Sequence, residues 1–178
     1  MNKELFIINE FLTSTLFAGL ATRGAKVYVA SVLEKEKNQF KSFLRQNLIS
    51  YSKEYQAGSV SEEKHLKNIK KFADESSAKF QRILVGGRLR IGIAQKLLNL
   101  YLKYLWCLEK IEKPPHCPFD NVVKSKIGRQ ARHIPSWTKI DTIEDYKELA
   151  EVAQKQTGML NLAEWELNLF NGKILDKL

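Results

Sequence analysis

Apolar side chains recur at intervals of three and four through most of this chain, and no segment sustains an alternation of period two. That pattern predicts an all-α domain of six to seven helices. Leu5, Ile8, Leu12, Leu16 and Leu20 predict a first helix over 3–21 that closes near Arg23 and Gly24. Leu33, Phe40, Leu44, Leu48, Tyr51 and Tyr55 predict a long amphipathic helix from Lys26 to Tyr55, closed by Gly58. Ser59 and Glu62 fit a capping box, and Leu66, Ile69, Ala73, Ser76, Phe80 and Ile83 carry a third helix to about Arg82.

The most apolar stretch follows the glycine pair Gly86-Gly87. From Gly92 to about Lys110 the residues Leu97, Leu98, Leu100, Tyr101, Leu102, Tyr104, Leu105 and Trp106 leave little polar surface, so other helices are expected to cover this central helix. Lys96, Asn99 and Lys103 form a polar strip on it, and polar groups on a covered helix need partners or a groove. Pro114, Pro115 and Pro118 break the helical pattern. Asp120 stands where a short helix over 121–127 would take its N-cap. Thr142 opens a helix to about Gln156, and Asn161 opens the last, stopped by Asn171 and Gly172.

At 178 residues the chain has the size of one domain, with lobes 1–85 and 86–178 as its natural division. No stretch is long and apolar enough to anchor it, so a soluble cytoplasmic protein with no membrane partner is expected. Charge changes the picture more than size does. Residues 1–140 hold 25 Lys and Arg against 12 Asp and Glu, whereas 141–178 hold 4 against 8. A basic field of that kind attracts polyanions, nucleic acid first, though lysine-rich faces such as Lys64, Lys67, Lys70 and Lys71 are equally well explained by solvation. Cys107, Cys117, His116 and His133 lack the paired spacing of a zinc site, so neither a metal nor a cofactor is expected. No phosphate loop, dinucleotide fingerprint or nucleophile elbow is present.

One local pattern carries specific chemistry. Gly92, Lys96 and Asn99 resemble, position by position, the hairpin of the helix-hairpin-helix DNA glycosylases, and Pro118, Phe119 and Asp120 resemble the Pro-x-Asp element of that family; the resemblance covers residues 86–123. It implies that backbone amides at Gly92 hold a DNA phosphate while a damaged base is flipped from the stack, against Trp106, Trp137 or Phe119. Lys96 would attack the sugar carbon to give a Schiff base, and Asp120 would stabilise the developing positive charge or assist proton transfer. Arg88, Arg90, Lys103, Lys124, Lys126, Arg129 and Arg132 would complete the nucleic-acid-binding surface. The chemistry requires Lys96 and Asp120 to meet in one open cleft. Without it, two readings stand: a non-catalytic basic helical protein that binds nucleic acid or a protein partner, or a helical interaction protein with no nucleic-acid role.

Overall fold

The structure is a computed structural model, and it describes residues 2–22 and 25–175. Among these residues there are seven α-helices and no strand: α1 (Lys3–Leu20), α2 (Glu34–Gln56), α3 (Glu62–Phe80), α4 (Ile91–Cys107), α5 (Asn121–Ile127), α6 (Ile143–Gln154) and α7 (Leu162–Leu175). They form one all-α domain around α4, as the patterning predicts. Twelve of the 17 residues of α4 are buried, and they include Gln95, Lys96 and Asn99. α1 lies closest along it, because Gly19 lets the helices touch: a Cβ there would come within 2.4 Å of Leu97 Cδ2. Phe40, Leu44, Leu48, Tyr51 and Tyr55 of α2 and Ile69, Ala73 and Ser76 of α3 are buried as expected, Phe72 is buried beside them, and Leu33 is exposed. No described helix is long and apolar enough to cross a membrane.

Several boundaries differ from expectation, each for a local reason. α2 starts at Glu34 rather than Lys26, because Val27 to Val29 run extended against Ile83 to Val85. Val29 N–H donates to the Ile83 carbonyl at 3.0 Å and Val85 N–H to the Val27 carbonyl at 2.9 Å. β-Branched residues favour that backbone. The first turn of α2 is then fixed by Glu36, whose carboxylate accepts the Leu33 N–H at 3.0 Å. α3 is capped by Ser61, not Ser59: the Ser61 hydroxyl accepts the Lys64 N–H at 3.3 Å.

α4 ends at Cys107, before the predicted Lys110. Lys110 N–H returns to the Leu105 carbonyl and Glu109 N–H to the Trp106 carbonyl, both at 2.9 Å. This is a Schellman closure with Glu109, at φ 58°, in the position glycine usually takes. α7 runs on through Asn171 and Gly172 to Leu175. The expected end of α1 at Arg23 and Gly24 lies outside the described residues. α5 and α6 begin where predicted, on Asp120 and Thr142.

Candidate functional site

The polar strip of α4 meets the segment that follows the prolines. Lys96 Nζ donates to Asp120 Oδ2 at 2.8 Å, so the two residues singled out by sequence touch. Asp120 has a second task. Its Oδ1 accepts the N–H groups of Val122 and Val123, each at 2.9 Å, and so caps α5. Burial alone would raise the Asp120 pKa, but the Lys96 ammonium and the two amides outweigh it and hold the carboxyl below its ordinary range. The Lys96 side chain is only 9% exposed and that of Asp120 29%. Nucleophilic attack by this amine would first require the ion pair to separate.

Gly92 N–H donates to the Ile140 carbonyl at 2.9 Å, so this amide is not free for a phosphate. Glycine is needed there for a different reason: a Cβ would stand 1.7 Å from the Trp137 carbonyl oxygen. Of the aromatic residues expected beside a flipped base, Phe119 and Trp137 are buried in the core and Trp106 is half-buried.

The other predicted cations divide into engaged and free. Lys103 forms a buried pair with Glu166 at 2.5 Å, and Phe170 covers it with its ring 4.7 Å away. Arg88 pairs with Asp141. Arg90 donates to the carbonyls of Ala25 and Lys26 at 3.2 and 3.0 Å, tying the start of α4 to the loop after α1. Lys124 donates to the carbonyls of Ile134 and Pro135, and its partial burial pulls the amine below the usual lysine range. On α3, Lys64, Lys67, Lys70 and Lys71 each face an acid, Glu54, Glu63, Asp74 and Glu75 in turn, at 2.6–3.7 Å. That face is a solvated lattice of ion pairs.

Arg129 and Arg132 differ from all of these. Both are exposed, and neither has an acidic partner among the described residues. They line one groove of about 460 Å³ with Asn121, Lys124 and Ser125, between α5 and the turn after it. Lys126 lies on the other flank of α5, beside Val122, Glu166 and Phe170.

Sequence reasoning missed a buried polar cluster at the junction of α2, α3, α4 and α6. It consists of two similar relays. In one, the Asn68 amide approaches the Tyr55 hydroxyl at 3.3 Å, and that hydroxyl is 2.7 Å from His65 Nδ1. In the other, the Asn99 amide donates to the Tyr146 hydroxyl at 3.0 Å, and that hydroxyl is 2.7 Å from His116 Nδ1. A tyrosine hydroxyl that accepts from an amide has its own proton left for an imidazole Nδ1, and in the enclosed His65, held neutral by burial, this leaves the ring proton on Nε2. The two rings meet edge to face at 4.8 Å.

His116 Nε2 points toward Glu62 at 3.5 Å, whereas His65 Nε2 has no partner at hydrogen-bond distance. Asn99 is the side chain beside His65, and its Oδ1 is likewise unpartnered. A small approach would satisfy both. Gln95 completes the cluster: it donates to the Phe119 carbonyl at 2.7 Å and accepts the Phe119 N–H at 3.2 Å, which locks the 117–120 segment onto α4. Only the Lys96, Asn99 strip signalled this cluster in the sequence. Cys107 and Cys117 are free thiols, and no group of metal-ligating side chains occurs among the described residues.

Comparison of the chain with protein-family models, curated proteins and solved structures finds no match.

Proposed function

We propose that this protein binds nucleic acid, DNA in the first instance, by gripping its phosphate backbone in the groove between α5 and the Gly128–Arg132 turn. The observation that carries this reading is the pair Arg129 and Arg132, exposed, unpaired with acid and set in the same groove as the Ser125 hydroxyl and Asn121 amide. Guanidinium groups suit phosphate because their planar forks bind it bidentately, and hydroxyl and amide side chains add contacts that read no sequence. The α3 lysines contribute little, since their charge is met by neighbouring acids. Binding of this type weakens steeply with salt.

The test is a salt titration of duplex DNA binding by fluorescence anisotropy. Replacing Arg129 or Arg132 by Gln should each flatten the slope of log affinity against log salt by about 0.9. Replacing Lys67 and Lys70 by Gln should leave the slope unchanged. Binding that ignores salt, or that falls equally in both variant sets, would overturn the assignment.

A glycosylase/lyase activity is a second reading, favoured by one observation, the Lys96 to Asp120 contact at 2.8 Å. It would have the pair separate on binding DNA, so that the amine, having lost its proton, attacks the sugar C1′ and displaces the base, or condenses with the aldehyde of an abasic site with loss of water to give the imine that borohydride reduces. Borohydride reduction with abasic duplex decides it: a covalent adduct that disappears in Lys96→Ala supports the lyase, and no adduct in the wild type removes it.

A further inference from the structure

A groove on the opposite, N-terminal part of the molecule has a different character. Its apolar wall comes from Leu16, Phe17, Leu20 and Tyr28, and its volume is about 580 Å³. That lies within the range of about 300–1,000 Å³ usual for small-molecule sites, which are mostly apolar with a few placed polar groups. Phe17 stands 77% exposed on its rim, so a large ring is left wet unless something covers it.

Among the described residues, the charged side chains lining the groove are Lys41 and Arg45. Arg45 spends two contacts on Thr13 Oγ1 at 3.0 Å and the Asn9 carbonyl at 3.4 Å, and no carboxylate pairs with it among the described residues. A guanidinium has five N–H donors, so most of its capacity is free. Lys41 has one distant partner, Glu34 at 3.5 Å, itself exposed. An apolar trough with cations and no acid calls for a molecule that is apolar along its length and anionic at one end.

Length narrows the choice. The α1 wall from Thr13 to Leu20 spans about 10 Å at the helical rise. That length suits one extended alkyl chain, and the two cations of the lining give its anionic end a partner. We propose that the groove between α1 and α2 binds a medium-chain fatty-acid anion, with the acyl chain against Leu16, Phe17, Leu20 and Tyr28 and the carboxylate held by Arg45 and Lys41.

Isothermal titration of the full chain with hexanoate, octanoate and decanoate, each below its micellar concentration, tests this. Affinity should rise about fourfold for each added methylene until the wall is covered. Decanoate should bind at least about tenfold more tightly than decanol, the margin expected of a charge-assisted contact. Arg45→Gln should remove that margin, and Phe17→Ser should weaken every chain length; Phe17 is exposed and Arg45 half-buried, and circular dichroism verifies that the variants stay folded.

Amide resonances that move on titration should be those of 13–21 and 41–45. Affinity independent of chain length, equal binding of decyltrimethylammonium, or resonance changes elsewhere would overturn the proposal. So would association with phosphatidylglycerol vesicles without decanoate binding, which would make the face a membrane contact. Self-association abolished by Phe17→Ser, again without decanoate binding, would reassign the groove to a second copy of the chain.

Discussion

Acidification should loosen this protein well before its carboxylates protonate, and His65 is the reason. Its ring is completely enclosed, and burial first, then the nearby His116, hold its pKa well below the ordinary value of 6.5. The groups that face it are the Tyr55 hydroxyl, Asn99 and the edge of His116, and none is an anion. The sign follows from which state takes the proton. The unfolded chain protonates this imidazole near pH 6.5 while the folded chain does not, so the stability it contributes is complete above that pH and is lost as pH falls toward the depressed folded value.

While only the unfolded form binds the proton, the loss tends to about 1.4 kcal/mol per pH unit. Between pH 7 and pH 5.5 one such imidazole costs about 1.3 kcal/mol, a large share of a typical net stability. Urea unfolding at pH 7, 6.25 and 5.5, followed by circular dichroism at constant ionic strength, measures it. His65→Gln should be less stable at pH 7, because Tyr55 loses its acceptor, yet nearly flat over the same range. A wild type that is flat from pH 7 to 5.5, or a His65→Gln variant that keeps the slope, would refute the reasoning.

Other consequences are as direct. Gly92→Ala should destabilise by at least about 2 kcal/mol in urea unfolding, because the added carbon would press on the backbone carbonyl of Trp137, which has no side-chain freedom with which to yield; a change below about 0.5 kcal/mol would contradict the packing. In a double-mutant cycle, Lys96→Met and Asp120→Asn should each cost about 2 kcal/mol and couple by 1 kcal/mol or so, since Asn can still cap α5 but cannot pair with the ammonium. That coupling should persist down to about pH 4 and fade only as pH falls from the ordinary carboxyl value of 3.8 through the lowered folded value, so coupling already gone at pH 5 would show that Asp120 is not held as described.

The architecture was legible in the sequence because hydrophobic period and capping chemistry are local. Asp120 and Thr142 announced the starts of α5 and α6, and the crowded apolar run announced α4 as the covered helix. Legibility failed where distant chain segments decide. Nothing near Lys26 says that Val27 to Val29 will pair with Ile83 to Val85, and nothing near Glu109 supplies the glycine that usually closes a helix.

The candidate site shows the same division. Lys96 and Asp120 were paired through the resemblance to the glycosylase motif, and they do touch. What spacing could not reveal is that Gly92 serves a chain crossing above it and that Lys103, Arg88 and Arg90 are spent on internal partners. Tyr55 and His65 lie on consecutive helices, but His116 and Tyr146 come from much further along the chain, so the meeting of the two relays had no local signature.

The seal over Gly92 also bears on how the molecule is made. Ile140, which takes the amide of the helix's second residue, leaves the ribosome dozens of residues after α4 itself. A nascent chain paused before that point holds its most apolar helix with an unlatched first turn and an uncovered flank. Completion of the Trp137 to Ile140 crossing is therefore the step that latches the first turn of α4 and covers its flank.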